Sequence, residues 1–178
     1  ITAALQGLEY VVSETYVFPP NAPGGTTFTL SAVDAVFNTT TASLAILLQN
    51  EPRNHLVTLD TDAVNPPDHP VEAERGLPML GTLRRAVYEA GNNDTITFAL
   101  PTYPGLIRLN ATLGPLELRR NLTFHGPGAD LLTVSGDTGG DGVPDTQLFR
   151  VRAAVTMEGL TLTQGRATTG GAVWVGPT

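Results

Sequence analysis

From Gly81 onward the chain carries one amphipathic helix pattern and then a series of short alternating strand patterns punctuated by glycine, an order that few folds accommodate. Leu83, Ala86, Val87 and Ala90 fall at i, i+3, i+4 and i+7, which gathers them on one helical face. Gly91 is placed to end that helix. After it come Thr95–Phe98, Leu106–Leu109, Asn121–Phe124, Leu131–Val134, Gln147–Val151, Val155–Met157, Leu160–Thr163 and Ala172–Val175, each short, β-prone and bounded by turn residues. The pattern predicts a repetitive β-structure that starts at a helix.

A loose internal repeat runs through this half. Asn121-Leu122-Thr123-Phe124-His125-Gly126 aligns with Ala154-Val155-Thr156-Met157-Glu158-Gly159, matching apolar residues, threonines and the closing glycine. Self-similarity of this kind marks a solenoid, in which no coil buries its inner face alone and the first coil needs a cap. The helix is in position to be that cap.

Residues 1–54 have a different character and are read as a separate β-rich segment, a partial β-sandwich or a donor strand, with residues 55–178 as the capped repeat. Pro19 to Gly25 divides the run Leu8–Phe18 from a second that opens at Thr26–Leu30. The apolar stretch Ser43–Leu48 fits a buried strand, although its length also suits a short helix. Val64 to Pro70, with three prolines and no periodic pattern, reads as a linker. The chain starts at Ile1 and stops just after a strand pattern, so a processed or partial chain with further coils beyond Thr178 is the expectation.

Composition narrows the function classes. Ten basic residues, all arginine, stand against 17 acidic ones for a net charge of −7, which argues against nucleic acid or an anionic membrane as partner. Cysteine is absent, so disulfides and thiolate metal sites are excluded. No apolar run approaches the roughly 18 residues that a membrane-spanning helix needs.

Thr82-Leu83-Arg84-Arg85-Ala86-Val87, Asp94 to Phe98, Leu122 to Ala129, Leu131 to Gly136, and Gly159 to Gly165 with Gly170-Gly171-Ala172-Val173 together resemble a known series. It is the start of bacterial and archaeal surface proteins built on a right-handed parallel β-helix of the pectate-lyase-like type, whose cap helix reads Ser-Leu-Arg-Glu-Ala-Ile. The resemblance covers roughly residues 55 to 178, and departs from the helix motif at Thr82, Arg85 and Val87. It implies an all-β chain, a right-handed parallel β-helix with an N-terminal amphipathic cap helix, at the cell surface or outside the cell. The fold carries adhesins and surface-layer material as well as polysaccharide lyases and glycosidases. A non-catalytic structural or adhesive module, self-associating or bound to a neighbouring surface protein or a glycan, is the leading reading. The alternative is the N-terminal part of a secreted polysaccharide lyase or glycosidase.

Asp137-Thr138-Gly139-Gly140-Asp141-Gly142-Val143-Pro144-Asp145 is the sharpest chemical signal. It sets Asp137, Asp141 and Asp145 at loop positions 1, 5 and 9, Gly142 at 6 and the Val143 carbonyl at 7, as an oxygen-ligand calcium loop requires. Gly139 stands where a ligand is expected and Leu148 where a bidentate glutamate belongs, so a calcium site and a polar turn both stay open. As a calcium site it would fall in the weak range, about 10⁻⁴ to 10⁻³ M.

No catalytic set is assigned. Asp60 and Asp62 precede the helix, outside the coils. Arg108, Arg119, Arg120, Arg150 and Arg152 qualify as bases by residue type alone, and a surface or ion-pairing role suits each better. His55, His69 and His125 are too scattered for a metal motif. No serine has the Gly-x-Ser-x-Gly context. Sequons occur at Asn38, Asn93, Asn110 and Asn121, the last inside a strand pattern.

Overall fold

A computed structural model describes residues 26–33, 39–46 and 51–177. The chain divides into two compact units, Ile1–Leu47 and Leu48–Thr178. In the first, β1 (Thr26–Val33) pairs antiparallel with β2 (Thr39–Ile46), Thr26 facing Ile46 and Val33 facing Thr39. The apolar run from Ser43 is therefore strand up to Ile46. The Leu8–Phe18 run, read as a donor strand, lies outside the described residues, as does Asn38.

The second unit is broadly all-β with parallel sheets. Its strands are β3 (Asn54–Val57), β4 (Asp94–Phe98), β5 (Gly105–Arg108), β6 (Leu116–Leu118), β7 (Leu122–His125), β8 (Leu132–Ser135), β9 (Phe149–Val151), β10 (Val155–Glu158), β11 (Thr161–Thr163) and β12 (Val173–Val175). Sheet one has the order β10-β7-β4-β3, sheet two β11-β8-β5 and sheet three β12-β9-β6, and every pairing within them is parallel. From β4 to β12 the chain visits the three sheets in the same rotation three times.

Strand alternation fixes what faces inward. Ile96, Phe124 and Met157 share one register column, Ile107, Val134 and Leu162 another, and Leu116, Phe149 and Val173 a third. Ile96, Phe124, Ile107, Val134, Leu116 and Phe149 are buried together, with Met157, Leu162 and Val173 packed against them. Phe124 and Phe149 meet edge to face across the core, centroids 5.8 Å apart. Each such side chain contributes about 1.5–3 kcal/mol by leaving water.

The repeat read from sequence is the pairing itself, since Leu122, Thr123, Phe124 and His125 face Val155, Thr156, Met157 and Glu158. Its closing glycines have a steric cause. A Cβ on Gly126 would run into the Gly159 carbonyl, a Cβ on Gly159 into that of Gly126, and Gly159 sits at φ +65°.

Helix α1 spans Leu83–Glu89. Thr82 caps it, its Oγ1 accepting the Arg85 N–H at 3.1 Å and donating to the Met79 carbonyl at 2.7 Å. Leu83, Ala86 and Ala90 are buried as the periodicity predicts, and the helix packs against β3 and β6. Its end comes earlier than Gly91, at Ala90, which turns to extended backbone with ψ 133°. The Gly91 N–H instead donates to Asp94 Oδ2 at 2.6 Å.

The proline-rich stretch is not a free linker. Asn65 is buried, its N–H donating to the Leu77 carbonyl at 2.8 Å and its Nδ2 to the Glu74 carbonyl at 3.0 Å, so the segment folds back on itself before the helix. Backbone pairing does here what periodicity could not announce.

Candidate functional site

The Asp137–Asp145 loop leaves sheet two after β8 and returns to sheet three at β9. Asp137 is buried, and its carboxylate holds the loop's own backbone. Oδ1 accepts the N–H groups of Gly140 at 2.6 Å and Asp141 at 3.2 Å, and Oδ2 accepts that of Gly142 at 2.9 Å. Burial pushes this carboxyl up, but the three N–H groups and the Arg108 charge outweigh it and hold it below the ordinary aspartate value.

Asp145 Oδ2 accepts from the N–H groups of Thr138 at 2.9 Å and Gly139 at 3.3 Å, while Asp141 Oδ1 accepts the Val143 N–H at 2.9 Å. Thr138 Oγ1 donates to the Leu109 carbonyl at 2.7 Å, tying the loop to the preceding rung. In this loop Asp137 engages both carboxylate oxygens with backbone N–H groups, and Asp141 and Asp145 engage one each. Among the described residues no three histidine, aspartate or glutamate side chains gather as a metal-binding group.

The loop borders a polar groove of about 360 Å³ lined by Asp60, Thr61, Asp62, Arg108, Asn110 and Thr138. The structure thus brings Arg108 beside Asp60 and Asp62, which are distant from it in sequence. Asp62 is spoken for: Arg84 Nε reaches its Oδ1 and Arg84 Nη2 its Oδ2, both at 2.6 Å, and the Asn110 N–H donates to Oδ2 at 2.9 Å. Asp60 remains exposed at the rim.

The other buried acid is Asp94, at an inward position opposite Leu122. It accepts the Arg53 N–H at 2.8 Å and the Gly91 N–H at 2.6 Å, and its Oδ2 lies 2.8 Å from His55 Nε2. Burial raises its pKa, while the Arg53 N–H, His55 and the Gly91 N–H together carry it below the usual value. The helix contributes one more network, Arg85 bridging Glu74 at 2.6 Å and Glu89 at 2.5 Å, which lowers the Glu74 carboxyl through the Arg85 hydrogen bond and raises the Arg85 guanidinium.

His125 Nδ1 pairs with Glu158 across one rung at 2.5 Å, and both are exposed. His69 caps its own turn near Val71. Of the sequons, Asn93 stands exposed in a left-handed turn, Asn110 accepts the Thr112 N–H at 3.0 Å and Asn121 accepts the Ala154 N–H at 3.1 Å. Sequence reasoning missed Asp94 and Glu117. The signal in each case was a charged residue beginning or centring a strand pattern whose neighbours alternate apolar.

No family model, no curated protein and no solved structure matches this chain.

Proposed function

We propose that Leu48–Thr178 is the capped start of a right-handed parallel β-helix and that the chain serves as a non-catalytic structural or adhesive module outside the cell, a subunit of a surface layer or filament. The observation that carries this reading is the use made of the buried acids. Among the described residues Asp62, Asp94 and Asp137 each make three polar contacts, Asp62 and Asp94 with donors from other segments and Asp137 with its own loop, so the buried acids serve to fasten the structure.

Assembly follows from the two ends of the stack. Helix α1 covers one of them, while β10, β11 and β12 form the outer edges of their sheets at the other, with Val155, Met157, Leu162 and Val173 only partly buried. These three open parallel edges can accept another layer of rungs, from further coils of the same protein or from a second subunit. Electron microscopy and light scattering of the full chain test this. Ordered, concentration-dependent assemblies are expected, and Met157→Arg with Leu162→Arg should disperse them. Monomers at every concentration for the parent chain would overturn the reading.

A further inference from the structure

Sheet three carries an ordered array on its outer face. Register places Glu117, Arg150 and Trp174 in one column, each a rung apart. Two residues on, the ladder continues through Arg152 N–H to the Leu118 carbonyl at 2.8 Å and Gly176 N–H to the Val151 carbonyl at 2.9 Å, so Arg119, Arg152 and Gly176 form the adjacent outward column. Gly176 is a steric requirement of the array, because a Cβ there would strike the indole of Trp174, which lies over that position. The Arg152 guanidinium sits 5.2 Å from the indole centroid, within cation–π range.

The charges of this array are not balanced. Arg119, Arg150 and Arg152 converge on the single carboxylate of Glu117 at 3.6, 3.5 and 3.8 Å, and none of these contacts is a hydrogen bond. Glu117 Oε2 is buried and accepts no hydrogen bond from the described residues. Arg150 Nε donates to Gln147 Oε1 at 2.8 Å, and among the described residues no other side-chain hydrogen bond holds the three guanidinium groups, whose side chains are 71%, 47% and 45% exposed. On a chain of net charge −7, three of the ten arginines stand around one acid beside its only tryptophan.

We propose that this face is a binding site for a saccharide carrying a tetrahedral oxyanion, a sulfate or phosphate ester on a sugar ring. A group with three free oxygens can be shared among three guanidinium forks, whereas a carboxylate offers two and matches one fork. The sugar hydroxyls can donate to the Glu117 carboxylate, whose side chain is 32% exposed, and Trp174 offers an amphipathic rim for the ring. The overall negative charge disfavours a long polyanion such as a nucleic acid, which would meet repulsion beyond the patch. The assignment deepens the adhesive side of the proposed function and rests on it.

The chain's single tryptophan is the reporter. Titration of the full chain with a galactose sulfate ester should give a saturable fluorescence change, and the same titration with the phosphate ester identifies which oxyanion is preferred. Arg150→Gln together with Arg152→Gln should weaken binding about tenfold or more, as loss of hydrogen bonds to a charged group implies. Arg119→Gln, whose side chain has Glu117 as its only ion-pair partner among the described residues, provides a second variant if the pair disturbs folding, and circular dichroism checks each. No saturable change with either ester overturns the site. Equal binding of inorganic sulfate or of galacturonate, or tighter binding of an oligonucleotide, overturns the ligand assignment. A chain that assembles yet binds neither ester loses this site alone, and a chain that binds but stays monomeric loses the assembly reading alone.

Discussion

His55 Nε2 lies 2.8 Å from Asp94 Oδ2, joining β3 to the start of β4 at a point where the inward column otherwise holds Leu122 and Val155. Because Asp94 is depressed in the folded state, the stability it contributes is fully present above its unfolded pKa, about 3.9, and is lost as pH falls through the lower folded value. Asp137 is displaced in the same direction and adds to the loss. We expect thermal stability to fall steeply with acid below about pH 4. Asp94→Ala should lower stability at neutral pH by about 1–3 kcal/mol, leaving the Arg53 and Gly91 N–H groups unpaired, and should flatten the acid limb. A pH series of melting curves on both proteins checks the slope.

Arg84 and Asp62 form a bidentate pair with side chains 12% and 1% exposed, linking the helix to the loop before it and, through the Gly114 carbonyl at 2.8 Å, to the turn before β6. Removing one partner strands the other. Asp62→Ala should cost about 3–5 kcal/mol, and pairing it with Arg84→Met should recover much of that. Denaturant unfolding of the two single variants and the double gives the coupling directly.

Leu83 is 1% exposed on the helix that packs against β3 and β6. Leu83→Asp places an unpaired carboxylate in that contact, so β3 and β4 should lose amide protection first. Leu83→Ala should be milder, about 2–5 kcal/mol for the cavity alone. Hydrogen exchange separates local fraying from global loss.

The loop of Asp137 is held by its own backbone donors. Treatment with a chelator should leave the melting temperature unchanged, while Asp137→Ala should lower stability by about 1–3 kcal/mol by freeing three N–H groups. Calorimetry with and without chelator decides it.

The helix and the strand positions after it were legible because side-chain period is a local property: Leu83, Ala86 and Ala90 needed no partner to declare a face, and Thr123 over Thr156 declared a register. Two strands escaped notice. Asn54–Val57 is short and polar at its start, and Leu116–Leu118 is three residues flanked by proline and arginine; each is a strand only because a parallel neighbour supplies its hydrogen bonds.

The chemistry was less legible, since carboxylate spacing along a loop says nothing of where the oxygens point. Asp137, Asp141 and Asp145 have loop spacing suited to a cation, and only the structure shows which of their oxygens accept backbone N–H groups. Glu117, Arg150 and Trp174 are distant in sequence and meet only through the rungs. The sequence by itself determined the helix-led, repetitive, broadly all-β character of the second unit, because alternation and helical period act over a few residues. Tertiary structure alone decided which charges pair and which stay free, because electrostatic partners are chosen by distance in space, and parallel stacking puts residues a full coil apart side by side.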